Sequence, residues 1–326
     1  MKALITTVPF GSVSATPVQL LKDAGIDFTI NPTGRRLQPG ELEALVSDFD
    51  ILIAGTEEID ISVFEAAQNL KLISRVGIGL DGIDLKCAKK SGVKVSYTPD
   101  APAPAVAELT MGLMLSLLRN IQQSNFQMKR GEWNRLFGRR VSEIDIGIVG
   151  YGRIGKRVVK HLKAFEPRTI RCFDIDQAKL DGADQVKYTP LADLLATCDL
   201  ISFHVPLTQS TFGMISKKEI QSMKKGSYLI NTSRGGILDE VAVLQYLKNG
   251  HLGGVAIDTY ETEPYFGALA NEMNCINTCH MGSMTFDCRA TMEIEAVQEA
   301  IRFFRGEPLQ SEVPDFELRS QLYMRS

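Results

Sequence analysis

The residues of this chain with types suited to acid–base work are few. There are four histidines, His161, His204, His251 and His280, and histidine is the side chain best poised near neutral pH. His280 follows an expected strand and precedes Gly282 and Ser283 in a loop, which makes it the best placed of the four. His161 falls on an expected helix and reads as surface or packing. His251 follows Gly250 in a helix-ending turn and reads as solvated. His204 ends a strand just before Val205, Pro206, Leu207 and Thr208 and reads as wall rather than acid. For any one of them a buried or capping role is the plainer alternative. The run Asn231-Thr232-Ser233-Arg234-Gly235-Gly236 ends another strand, so Arg234 is a planar cation at a carboxyl end and suits bidentate binding of a carboxylate. A surface arginine in a turn is the alternative. Asp258 and Glu263 lie in DTYETEP, a proline-bounded loop that aims Glu263 inward or leaves a pair of exposed acids. Together these are the parts of a hydride-transfer site: a proton donor, a cation that polarises a carbonyl, and an acid that tunes the base.

Such parts need a cofactor, and the stretch Ile144 to Phe165 is built for one. Residues Ile146 to Gly150 read as a short buried strand, Gly150, Gly152 and Gly155 make G-x-G-x-x-G, and Val158, Val159, Leu162 and Phe165 follow at helical spacing. Gly150 permits a tight turn, Gly152 lets a pyrophosphate approach the backbone, and Gly155 lets helix pack on strand. The helix N-terminus then faces the diphosphate. A second apolar run, Thr169 to Phe173, ends in Asp174, nineteen residues past Gly155, where a carboxylate reaches an adenosine ribose. A glycine turn in some other βαβ unit is the competing reading.

Around this unit, strands and helices alternate. Residues 1–98 carry five expected strands, beginning near Lys2, Asp27, Ile51, Leu72 and Val93, with helices between them. The proline-rich run Thr98 to Ala105 breaks the pattern, and one long helix from about Val106 to Lys129 follows. A second βα series runs to about Asn277, and an amphipathic helix from Thr285 to Phe304 leads the last residues back to the first domain. The expected fold is α/β, with two doubly wound parallel-sheet domains. A Rossmann-type NAD-binding domain is expected over residues 101–285, inserted in a flavodoxin-like substrate-binding domain expected over residues 1–100 and 286–326. Ligands of such sheets bind at strand carboxyl ends, and the crevice between the domains is the expected site.

Composition narrows the classes. The 326 residues carry a net charge of −3 and no long run of one sign, so neither nucleic acid nor a membrane surface is an expected partner. The short apolar N-terminal run reads as a first strand rather than a signal peptide, and no stretch has the ~18 apolar residues of a span. A cytoplasmic protein is expected. Cys275, Cys279 and His280 crowd together, but with no C-x-x-C pair the six cysteines read as reduced thiols and no metal site is expected.

From about Lys71 onward the chain resembles the D-isomer-specific 2-hydroxyacid dehydrogenase family, in particular its 3-phosphoglycerate dehydrogenase-like members. The motifs are SRVGIGLDGIDL, AVAELTMGLML, GIVGYGRIG, HVPLT, NTSRGGILDE, AIDTYETEP and the HMGS turn. The resemblance implies an NAD-dependent oxidoreductase that interconverts a D-2-hydroxy acid and a 2-oxo acid, with Arg234, Glu263 and His280 as catalytic residues. It implies that Gly150, Gly152, Arg153 and Ile154 cover the pyrophosphate and Asp174 holds the ribose. His204, Val205, Pro206, Thr211, Thr232, Ser233 and Arg234 would lie along the cofactor, with Asp258, His280 and Gly282 at its nicotinamide end. The loop Val76, Gly77, Ile78 and Gly79 would grip the substrate carboxylate through backbone N–H groups. A homodimer is also implied.

Three features depart from the family. Cys279 stands where a proline is usual before the catalytic histidine, Pro102 and Pro104 occupy a segment that often holds polar residues, and Pro167 replaces a small or glycine-containing link. The second leaves substrate identity open. Arg75 adjoins the carboxylate loop and Arg135 follows Trp133, as arginines do in phosphoglycerate dehydrogenases; a phosphate or phosphonate on the substrate is one reading and surface ion pairs the other. The rival class is an NAD(H)-sensing, corepressor-like binding protein on the same fold.

Overall fold

A computed structural model describes residues 1–183 and 186–321. Contacts divide the chain into two compact units, Met1–Pro102 with Met284–Ser326, and Ala103–Ser283.

The first unit holds β1 (Lys2–Ile5), β2 (Asp27–Ile30), β3 (Ile51–Ala54), β4 (Leu72–Arg75) and β5 (Lys94–Ser96). All are parallel, in the order β2-β1-β3-β4-β5, the flavodoxin-like arrangement. β3 is buried along its whole length, as a strand covered on both faces must be. The chain returns through helix Phe286–Phe304, where Ser74 Oγ donates to the Ala296 carbonyl. It then runs antiparallel beside β5, with Val313 N–H donating to Val95 O and Tyr97 N–H to Ser311 O. Residues 322–326, part of the expected return, lie outside the described residues.

The second unit holds β6 (Asp145–Val149), β7 (Thr169–Phe173), β8 (Lys187–Tyr188), β9 (Leu200–Phe203), β10 (Ser227–Asn231), β11 (Leu252–Ile257) and β12 (Cys275–Asn277). They form one parallel sheet in the order β8-β7-β6-β9-β10-β11-β12, so the winding reverses between β6 and β9. Neighbouring strand residues alternate between two cores: Val149, Ile201, Phe203, Leu229 and Ile257 face one, and Ile146, Ile148, Leu200, Ile230 and Ala256 the other. That two-residue period is the reason a continuous apolar run serves as a strand here.

One expected helix is two. Helices Ala103–Leu118 and Ile121–Lys129 meet at Asn120, which is left-handed at φ 52°. The carbonyl of Leu118 accepts from Arg139 N–H at 2.8 Å, and Asn120 Nδ2 donates to Phe137 O at 2.9 Å. The segment 137–139 thus satisfies the end of the first helix, and asparagine tolerates the turn. The helix also begins three residues before the sequence suggests, because Pro104 falls in its first turn, where a missing N–H costs nothing.

Candidate active site

The expected cofactor and catalytic residues of the second unit follow the carboxyl ends of its strands. Gly150, after β6, has φ +96°, and a Cβ there would lie 2.3 Å from the His204 carbonyl oxygen. A Cβ on Gly155 would lie 2.0 Å from the Gly150 carbonyl oxygen. Strand, turn and helix therefore pack backbone to backbone. Gly152 is different: a Cβ there meets nothing within 4 Å, so its surface is open. Arg153 and Ile154 begin helix Arg153–Lys163, whose first turn contains no acid, as an anion site requires.

Asp174, just past β7, is tied to this loop. Its Oδ2 accepts from Tyr151 N–H at 2.8 Å, and its Oδ1 from Asp176 N–H at 2.9 Å and Lys179 Nζ at 3.0 Å. Burial pushes the carboxyl up, but these N–H groups and the Lys179 charge outweigh it and hold it below the usual range. His204, just past β9, donates its N–H to Val149 O, and its Nε2 pairs with Ser202 Oγ at 2.9 Å. Its Nδ1 is buried with no partner among the described residues, and burial pushes the imidazole down to about 3. It is therefore neutral at any working pH and unfit as the proton donor. Val205 and Pro206 lead into a turn that Thr211 holds, through Oγ1 to Pro206 O at 2.6 Å and from Thr208 N–H at 2.8 Å.

At the end of β10, Asn231 shapes the arginine turn. Its Nδ2 donates to Arg234 O at 2.7 Å while its Oδ1 accepts from Ser233 N–H and Oγ. Thr232 Oγ1 meets Thr110 Oγ1 at 2.9 Å, and Arg234 Nη1 donates to Ser233 O at 2.6 Å. Asp258, past β11, is 1% exposed. Its carboxylate accepts from Thr278 Oγ1 at 2.6 Å and from the N–H groups of Met281 and Gly282 at 2.9 and 3.0 Å, while its carbonyl accepts His280 N–H. This is a role that sequence reading missed: Asp258 holds the turn in which His280 stands at φ 51°.

His280 Nδ1 lies 2.8 Å from Glu263 Oε2, and Glu263 Oε1 accepts Tyr260 N–H at 3.1 Å. Burial raises the Glu263 carboxyl, yet the His280 hydrogen bond and charge, with help from Arg234, bring it below its ordinary value. The loop beneath is clamped. Glu261 N–H donates to Glu240 Oε1 at 2.9 Å, and Gly235 packs so closely that a Cβ would fall 2.0 Å from the Tyr260 carbonyl carbon. Tyr260 stacks on Tyr265 at 4.0 Å. Because a carboxylate holds Nδ1, Nε2 is the nitrogen left for proton transfer.

The other two histidines stand apart. His251 Nε2 bonds Ile220 O at 2.8 Å, and His161 is partly exposed on the helix after the glycine loop. Cys275 is buried, Cys279 is exposed, and among the described residues no three His, Cys, Asp or Glu side chains group as metal ligands. Among the described residues no helix is long and apolar enough to cross a membrane.

Arg75 and Val76 to Gly79 belong to the first unit. Val76 N–H donates to Ala54 O and Gly77 N–H to Thr98 Oγ1, which leaves Ile78 and Gly79 as the loop's N–H donors for a ligand. The Arg75 guanidinium folds over the loop, Nε donating to Gly79 O at 3.1 Å and Nη1 to Val76 O. Arg135 belongs to the second unit, exposed in a groove with Arg119, Met128 and Trp133.

The open face at Gly152, the acid-free helix start, the anchored Asp174 and the buried unpartnered Nδ1 of His204 fit a dinucleotide. Residues 111–282 match the family described as D-isomer specific 2-hydroxyacid dehydrogenase, NAD binding domain. The hydroxypyruvate reductase of Thermotoga maritima is 36% identical over 277 residues, 83% of this chain and 90% of that protein. The D-3-phosphoglycerate dehydrogenase of Methanocaldococcus jannaschii is 37% identical over 278 residues, 82% of this chain but only 52% of the relative, so the chain spans about half that enzyme. Among solved structures, the D-lactate dehydrogenase of Aquifex aeolicus, complexed with NAD and lactic acid, superposes with a TM-score of 0.82 at 25% identity, covering 94% of this chain and 96% of that one. On that family match, and with a histidine–glutamate pair beside an arginine turn and a glycine-rich cofactor loop, the chain belongs to the D-isomer specific 2-hydroxyacid dehydrogenases and is an NAD-dependent oxidoreductase of CH–OH groups.

Proposed function

We propose that the chain reduces a small 2-oxo acid to its D-2-hydroxy acid, and runs the reverse oxidation, with Arg234, Glu263 and His280 as the catalytic residues. NAD(H), held by Gly150, Gly152, Arg153, Ile154 and Asp174 and flanked by His204 to Pro206, Thr211, Thr232, Ser233, Asp258 and Gly282, supplies or receives the hydride. Arg234 holds the substrate carboxylate and polarises the carbonyl. His280 gives the Nε2 proton to the forming alkoxide, and Glu263 at Nδ1 orients the ring and favours its charged form. In the oxidative direction neutral His280 takes the hydroxyl proton. Ile78 and Gly79 offer backbone N–H groups to the same carboxylate.

Residues 101–285 would then be the cofactor domain, and residues 1–100 with 286–326 the substrate-binding domain. The relatives that act on phosphoglycerate, together with Arg75 and Arg135, support a substrate with a second anionic group. A homodimer acting in the cytoplasm completes the reading; exposed Ile121, Phe126, Met128 and Trp133 offer an apolar face for a second copy.

The observation that carries the reading is the 2.8 Å contact of His280 with Glu263. The test is a panel of 2-oxo acids followed by NADH absorbance, with His280→Gln alongside. The variant should lose about 10²–10⁴-fold in kcat/KM while binding NADH as before. Wild-type turnover in the variant removes the assignment, and no turnover of any acid by the native chain favours the NAD(H)-sensing alternative.

A further inference from the structure

The return segment of the first unit carries a side chain whose bonds the reaction as described does not use. Gln321 follows the short helix Asp315–Ser320, and its backbone N–H donates to Glu317 O. Its side-chain amide reaches across to the turn Leu80–Leu85. Nε2 donates to Ile83 O at 2.6 Å and to Leu80 O at 3.0 Å, and Oε1 accepts Leu85 N–H at 3.2 Å. Only this orientation satisfies all three groups, because a flipped amide would set its own donors against the Leu85 N–H. Leu80 is 8% and Ile83 2% exposed, so a carbonyl left bare at either position is unfavourable. Leu85 opens helix Leu85–Lys90, where first-turn N–H groups have no acceptor within the helix. One side chain, 236 residues away in sequence from Leu85, therefore closes the whole turn.

That turn continues directly from the loop Val76 to Gly79. The other end of the loop is held at Gly77, whose N–H donates to Thr98 Oγ1 at 2.8 Å and whose carbonyl accepts Thr98 N–H at 3.1 Å. Thr98 follows β5, and β5 is paired with the same return segment, through Tyr97 N–H to Ser311 O and Val313 N–H to Val95 O. Glu299 is 4% exposed and fixes the start of that segment, its Oε2 accepting the N–H groups of Gln310 and Ser311 at 3.0 and 3.1 Å. Between the two anchors, Gly77 and Leu80, lie only Ile78 and Gly79. Their N–H groups are the two offered to the substrate carboxylate. Gly77 stands at φ +137°, and a stretch with two glycines keeps wide backbone freedom unless both of its ends are held.

We infer that Gln321 is a positioning residue for the reaction: it fixes the downstream end of the carboxylate loop, so that the Ile78 and Gly79 N–H groups are already aimed when a 2-oxo acid arrives. It touches neither substrate nor cofactor and acts through Leu80 and Ile83. The ordering of the loop is then complete on folding and takes nothing from substrate binding. The inference rests on the assignment of that loop to the substrate carboxylate; the tether itself rests on the three bonds.

Gln321→Met tests it, since methionine keeps the length of the side chain and removes all three bonds. The KM for hydroxypyruvate should rise about tenfold, the worth of roughly one hydrogen bond to a buried group, while kcat stays within about twofold. The Kd for NADH, read by fluorescence titration, should not change. A role confined to folding would instead reduce the active fraction, and with it kcat, at an unchanged KM. Gln321→Asn is a milder second variant, polar but one methylene too short to span Ile83 O and Leu85 N–H together, and it should show the same split on a smaller scale. Amide exchange reads the tether directly: Leu85 should exchange at least about tenfold faster in either variant than in the native chain. A native KM in both variants overturns the inference, and so does a loss in kcat alone. Should no 2-oxo acid turn over, the proposed reaction fails. Oxamate binding to the NADH complex then decides the positioning role: weakening by about tenfold in Gln321→Met supports it, and unchanged affinity refutes it.

Discussion

Gly235→Ala tests whether the clamp under Glu263 sets the reaction rate. Gly235 lacks a left-handed φ, so alanine meets no backbone strain there and acts only through its methyl group. That methyl would lie 2.0 Å from the Tyr260 carbonyl carbon, 2.1 Å from its oxygen and 2.4 Å from Glu261 N. Reaching an ordinary 3.4 Å contact moves the loop by about 1.4 Å, more than the ~1 Å misplacement that costs a reaction roughly 100-fold. The 2.8 Å bond of Glu263 to His280 does not survive such a shift. The expected loss in kcat/KM is therefore about 100-fold, or about 2.7 kcal/mol in the barrier. Overpacking of this kind also costs roughly 1–3 kcal/mol of stability, which a thermal melt resolves. NADH affinity should fall far less than kcat/KM, because the glycine loop that takes the diphosphate follows β6 and is not displaced. Steady-state kinetics with NADH and a 2-oxo acid give the answer. A folded variant with native kcat/KM would show that the loop is not held where the reasoning puts it.

Other outcomes follow from the same geometry. Glu240→Ala frees Glu261 N–H and should lower kcat several-fold, while Glu240→Gln keeps an acceptor and should restore it. Burial raises the Glu240 carboxyl, so its charge costs stability above its folded pKa, and the glutamine variant should melt no lower than native at pH 7. Asp174→Ala should erode the preference for NAD over NADP, measured side by side, since the carboxylate repels a 2′-phosphate. The Asp174 carboxyl is held low in the fold, so its stabilisation is complete above about pH 4 and is lost below it. The melting gap between native and Asp174→Asn should therefore close in acid. His204 is held near 3 against about 6.5 when unfolded, so acidification from pH 6.5 to 5 should cost about 1.6 kcal/mol that is absent in His204→Gln. Equal melting slopes in that range would contradict its burial.

Much of the fold was legible because it is written in short-range patterns. Five strands of the first unit and the strand–glycine–helix start of the second show in apolar runs punctuated by glycine, and so does the acid that ends β7. The short β8 and helix Leu191–Thr197 between Asp174 and β9 went unread, since a two-residue strand has no period to detect. The break at Asn120 was also hidden: it depends on Leu118 O and Asn120 Nδ2 finding partners near residue 138, a contact that no local propensity encodes.

The candidate site divides in the same way. From types and turns alone, the sequence marked His280, Glu263 and Arg234 as parts of one chemistry and the glycine loop with Asp174 as another. Only the tertiary structure decided what each side chain spends its lone pairs and protons on. It gave Nδ1 of His280 to Glu263, committed the Asp258 carboxylate to the turn that carries His280, kept His204 neutral in the wall, and turned the Arg75 guanidinium back over its own loop. The physical reason is that backbone periodicity is set by neighbours in the chain, whereas hydrogen-bond partners and burial are set by strands that lie side by side after long crossovers. The loops after β10, β11 and β12 are far apart in sequence, and parallel pairing brings their carboxyl ends to one edge.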